Sequence, residues 1–109
     1  MAVKVYGIPN CGSVKKALDS LKNKGEAIEF HDFKKLGLSP DLLDKWEQIL
    51  GLDSLINRKG TTWRNLSDVD KALADSPKTA KELILSNLSL IKRPVVDQDG
   101  QLSIGKTEF

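Results

Sequence analysis

Val3-Lys4-Val5-Tyr6-Gly7-Ile8-Pro9-Asn10-Cys11-Gly12-Ser13 is the stretch on which the fold turns. Residues 2–6 alternate and are rich in valine, as a strand is, and Gly7 and Pro9 then break the run. From Ser13 the apolar residues Val14, Ala17, Leu18 and Leu21 recur at spacings of three and four, which predicts one buried helix face over residues 13–24, closed by Gly25 as a left-handed cap. Cys11 therefore stands in the first turn of a helix. Backbone N–H groups without helical partners and the positive end of the helix dipole favour a thiolate there, and Lys15 and Lys16, one turn on, push the same way. The expected sign is a lowered thiol pKa. The alternative is a small buried hydrophobe, since free cysteine is among the residues most often buried.

Residues 27–33 read as a second strand, and the connection is long enough only for a parallel crossover, so the opening is a βαβ unit. Ser39-Pro40-Asp41 supplies an N-cap, a first-turn proline and an acid that suits the dipole. Leu42, Leu43, Trp46, Ile49 and Leu50 then form an apolar stripe ended by Gly51, with Trp46 in the core. Residues 53–57 suggest a short helical turn, and residues 58–64, Arg-Lys-Gly-Thr-Thr-Trp-Arg, read as loop. Ser67 and Ser76-Pro77 start further helices over 69–73 and 79–85. After Pro94, Val95-Val96 is a β-branched run, 97–100 a turn and 101–104 an alternating strand, so the end of the chain reads as an antiparallel hairpin. The order βαβ, helices, ββ implies a four-stranded α/β sheet in one domain, 1–109, with a helical insertion at about 38–90. It sets the cysteine at the carboxyl edge of the parallel strands, where α/β folds place their sites.

Composition narrows the function. With 109 residues the chain is of single-domain size, burying roughly two-thirds of its unfolded surface. One cysteine excludes an internal disulfide, and no signal peptide or membrane-spanning apolar run is visible, so the expected setting is the reducing cytoplasm, away from membranes. The 17 basic and 15 acidic residues are interspersed; Glu26 and Asp32 interrupt Lys22, Lys24, Lys34 and Lys35, so these lysines read as a solvated face and no nucleic-acid partner is expected. One histidine and one cysteine do not build a Cys/His zinc site, and no metal is expected. His31 reads as a strand-end packing residue more readily than as a base. Trp63 either anchors the insertion or walls the site, and Thr61 and Thr62 either donate to an anion or cap a turn.

Asn10-Cys11-Gly12-Ser13, the 58–64 segment and Ile91-Lys92-Arg93-Pro94-Val95-Val96, in that order and at these separations, resemble the arsenate-reductase-related family that includes the YffB proteins and the Spx-type regulators. The resemblance implies a thioredoxin-like, glutaredoxin-like fold with a cis proline at Pro94, and a final helix of which this chain holds only the first residues. In the family's reductases a cysteine attacks arsenate and three arginines hold it. Cys11 matches the nucleophile and Arg93 one arginine. Asn57 stands where the first arginine belongs, with Arg58 and Lys59 beside it. Gly105 stands where the third belongs, with Lys106 beside it. The family's histidine falls on Gly7, and Lys15 keeps the charge of a further basic residue. Each lost charge-assisted bond costs roughly 1.5–3 kcal/mol, which argues against arsenate reduction.

The resemblance and the residues together imply a monothiol oxidoreductase with no bound cofactor and glutathione as cosubstrate. Cys11 is the nucleophile, Lys15 lowers its pKa, and Arg93 with Arg58 or Lys59 binds the anionic part of the substrate. Gly12, Ser13, Pro94 and Val95 complete the cradle, the segment after the proline offering an exposed strand edge to an extended peptide. Val14 stands where the Spx-type proteins carry a second cysteine, so a disulfide at Cys11 is mixed and is resolved from outside, by glutaredoxin or a second thiol. The substrate is a small oxyanion or thiol and the protein a monomer. The rival is a non-catalytic Spx-like regulatory module that uses the same fold to bind protein.

Overall fold

In the computed structural model, which describes residues 2–109, the opening is strand β1 (Val3–Gly7), helix α1 (Gly12–Asn23) and strand β2 (Ile28–Asp32). β1 and β2 are parallel, Val3 opposite Ile28 and Gly7 opposite Asp32. α1 buries Val14, Ala17 and Leu21, the face its periodicity predicts. Its end is a Schellman closure: Gly25 has φ 77°, its N–H donates to Lys22 O at 2.9 Å, and Glu26 N–H donates to Leu21 O at 3.1 Å. β2 stops a residue short of the expected Phe33. Asp32 accepts a hydrogen bond from Lys34 N–H at 2.9 Å, and the cap turns the chain into a short helix α2 (Phe33–Leu36).

The chain returns to this unit at Arg93. Strands β3 (Val95–Gln98) and β4 (Gln101–Ile104) form the hairpin. The turn is tighter than the expected 97–100. Asp99 and Gly100 alone make it, both at positive φ, while Asp97 and Gln98 stay in the ladder and Asp97 Oδ1 accepts Gly100 N–H at 2.7 Å. β3 runs antiparallel to β1, so the sheet order is β2-β1-β3-β4, a mixed α/β sheet. Its core on the α1 side is Val3, Val5, Leu21 and Val96, with Leu18, Ile28, Phe30 and Phe109 packed against it. Phe109 reaches this core through a backbone N–H that donates to Ser20 Oγ at 2.8 Å.

Residues 38–92 form a second compact unit. Ser39 Oγ caps α3 (Pro40–Leu50) by accepting Leu42 N–H, and Gly51 at φ 81° ends it. There follow α4 (Leu52–Leu55), α5 (Thr61–Arg64), α6 (Asp68–Ala72), a 3₁₀ turn at Leu73–Asp75, α7 (Pro77–Ser86) and a 3₁₀ turn at Leu88–Leu90. The stretch expected as loop thus contains a helical turn, which Gly60 starts by accepting Arg64 N–H on its carbonyl. Leu43, Trp46, Leu55, Ala80, Leu83, Ile84 and Leu90 are buried. Lys81 on α7 reaches Asp44 at 3.0 Å and Glu47 at 3.1 Å on α3.

Candidate functional site

Cys11 is the N-cap of α1, extended at φ −94° and ψ 125°, which puts its sulfur at the head of the helix while Lys15 N–H donates to its carbonyl at 3.0 Å. The thiol is partly buried. Burial pushes its pKa up, but the N–H of Val14, a hydrogen bond from Arg93, the N–H of Ser13 and the charge of Arg93 together outweigh that and hold it below the ordinary thiol range. Sγ makes no cap hydrogen bond of full geometry; the two N–H groups act on it as the exposed end of the helix dipole. The sequence-derived sign therefore stands, with a different cast. Lys15, one turn on, is exposed, where water screens its charge.

Arg93 precedes a cis peptide bond to Pro94. Pro94 is fully buried, and its carbonyl accepts Gly105 N–H at 2.9 Å. Val95 lies between Tyr6 of β1 and Ile104 of β4. This corrects the expectation of an exposed edge after the proline: β3 is paired on both sides, because the hairpin folds back over its outer flank, and β2 and β4 are the edges. Gly12 opens α1 with free space around its Cα, and Ser13 contributes its N–H.

Arg58 and Lys59 belong to the helical unit. The Arg58 guanidinium bonds Asp53 at 3.2 Å and lies over the Trp63 ring, 5.2 Å from its centroid. Lys59 N–H donates to Asn57 Oδ1 at 3.1 Å. With Asp53, Ser54, Ile56, Asn57 and Lys92 they line a cavity of about 280 Å³. Sequence reasoning passed over Lys92, whose only signal was its place beside Arg93. It also passed over Val14 as a contributor to the site, because what Val14 supplies is backbone.

His31 packs. Its ring sits 5.0 Å from Tyr6 and 5.8 Å from Phe33, centroid to centroid, and Nε2 is 2.7 Å from Gly37 O, to which it donates. Burial, with Asp97 and Glu29 adding to it, raises the Tyr6 phenol and keeps it neutral. Among the described residues no three His, Cys, Asp or Glu side chains are grouped to hold a metal, and no helix is long and apolar enough to cross a membrane.

This arrangement matches known proteins over nearly its whole length. The model of the ArsC family matches residues 6–108. An uncharacterized Haemophilus influenzae protein is 42% identical over 106 residues, covering 97% of this chain and 92% of its own length. Among solved structures, a YffB protein is 36% identical with a TM-score of 0.87 over 94% of this chain and 90% of its own. An arsenate reductase (ArsC) related protein from Brucella melitensis is 40% identical with a TM-score of 0.79, covering 97% of this chain and 88% of its own. The fold is thioredoxin-like, as these relatives' is.

Proposed function

The chain belongs to the ArsC family, a setting for thiol-based redox chemistry, and from that premise we propose that it is a glutathione-linked monothiol oxidoreductase of the cytoplasm, with Cys11 as nucleophile. One observation carries the reading: a partly exposed thiol at a helix N-terminus whose ionised form is favoured by two backbone N–H groups and a guanidinium. In the proposed cycle the Cys11 thiolate attacks one sulfur of oxidised glutathione, the S–S bond breaks, and glutathione leaves as thiolate while Cys11 is held in a mixed disulfide. The chain has no second cysteine, so the thiol of an external glutaredoxin attacks the glutathione sulfur of the mixed disulfide, takes the glutathione over as its own mixed disulfide and returns Cys11 as thiolate. Arg93 holds the anionic part of the substrate near the sulfur, with Ser13 and Gly12 presenting the helix end. Arg58 and Lys59 keep an anion-binding role in this reading, supported by the cavity that they line with Lys92, where three cations face one acid, Asp53. Arsenate is not the substrate. Asn57 and Gly105 lack the guanidinium forks that bind such an oxyanion bidentately.

The test is incubation of the reduced protein with oxidised glutathione and intact-mass measurement. A single glutathione adduct that maps to Cys11 and disappears on adding glutaredoxin and reduced glutathione is expected. A protein that forms no adduct while its thiol remains reactive toward alkylating agents would refute the glutathione link.

A further inference from the structure

Gly7 closes β1 directly under the first turn of α1, and its lack of a side chain is required by space rather than by backbone conformation, since its φ is not positive. A Cβ at this position would lie 2.6 Å from Val14 Cγ2, with Val14 Cγ1 at 3.6 Å and Cβ at 3.7 Å. Nothing nearby can yield easily. Val14 is completely buried, and a valine in a helix is held in essentially one χ1 rotamer, so the methyl has no alternative well to swing into. A methyl added at Gly7 is therefore relieved by lifting the first turn off the strand. Val14 is also one of the two residues whose N–H groups favour the Cys11 thiolate.

We propose that Gly7 is a positioning residue for Cys11: the bare Cα of the strand receives the Val14 methyl, and this fit sets the height at which the helix end presents its N–H groups to the sulfur. The inference rests on the reading of Cys11 as the nucleophile. It assigns the strand a role at the site through shape alone, with Arg93 as the charged group that acts on the thiol.

A double-mutant cycle tests it, with the pH profile of iodoacetamide alkylation of Cys11 as readout. Gly7→Ala should move the profile's midpoint upward and slow alkylation at pH 7 by about threefold to tenfold, as expected on weakening one hydrogen-bond donor to a thiolate. Val14→Ala keeps the N–H but removes the methyls that seat the turn, and should shift the midpoint in the same direction. The double variant puts one methyl back into the shared space from the other side and should lie closer to wild type than Val14→Ala does, which holds as a test even where Gly7→Ala alone does not fold. An additive cycle, or a folded Gly7→Ala protein with an unmoved midpoint and only a lower melting temperature, overturns the inference while leaving Cys11 as nucleophile. A wild-type midpoint at or above that of an ordinary thiol overturns the nucleophile reading, and this inference with it.

Discussion

Arg93→Ala should slow two reactions of Cys11 by different factors, and the difference measures what the guanidinium does. Arg93 acts on the sulfur both as hydrogen-bond donor and as charge. A charge-assisted hydrogen bond contributes about 1.5–3 kcal/mol, and the low end applies because the thiol is only partly buried and water screens the pair. About 1.5 kcal/mol corresponds to a roughly tenfold smaller thiolate population at any pH below the ionisation of the thiol. The thiolates that remain are more basic and so about threefold more nucleophilic, for a Brønsted slope of about 0.4–0.5. Iodoacetamide, a neutral reagent, should therefore react about threefold more slowly near pH 7, and no more slowly once the pH ionises every thiol. Oxidised glutathione carries carboxylates. If Arg93 also holds these, adduct formation loses a further factor of about ten, and that factor persists at high pH. The assay follows both reagents across pH on wild type and variant, with a melting curve to verify the fold. Equal losses for the two reagents at every pH would remove the substrate-binding role, and an unchanged midpoint for iodoacetamide would remove the thiolate role. A lower melting temperature with both rates unchanged would make Arg93 a structural residue.

Cys11→Ser tests the same electrostatics through stability. The folded state favours the thiolate and so binds fewer protons than the unfolded chain. The advantage of wild type over the serine variant should be complete above the ordinary thiol value of about 8.5 and should disappear as the pH falls through the lower folded-state midpoint. Denaturant titrations at several pH values would refute this if the difference stayed constant. His31→Ala should lower stability by about 1–3 kcal/mol, through the lost bond to Gly37 and the lost ring contacts, yet leave the glutathione adduct rate unchanged. A slower adduct with intact stability would instead make the imidazole part of the chemistry. In a glutathione-coupled assay, arsenate turnover should stay at background. Turnover like that of a true family reductase would mean that Arg58, Lys59 and Lys106 replace the missing arginines.

The parts of this protein legible in its sequence are those set by short-range physics. The apolar face of α1, its glycine-closed end, the serine cap of α3 and the strand character of residues 3–7 follow from periodicity and capping within a few residues, and together they put Cys11 at a helix N-terminus. Where two local signals compete, the sequence is ambiguous. Phe30-His31-Asp32-Phe33 reads as strand throughout, but the carboxylate of Asp32 captures the Lys34 N–H and starts a helix instead. What only the tertiary structure decided are relations between distant segments. β3 lies inside the sheet because β1 takes one flank and β4 the other, which closes the edge that the proline segment was expected to offer. The charge that favours the Cys11 thiolate most directly is that of Arg93, brought over by the return of the chain into the sheet, while Lys15, its near neighbour in sequence, is exposed and screened by water. The close fit of Gly7 and Val14 is likewise invisible along the chain. A missing side chain has no pattern until the atom that fills its space is known, and packing, unlike capping or periodicity, depends on which surfaces the whole fold presses together.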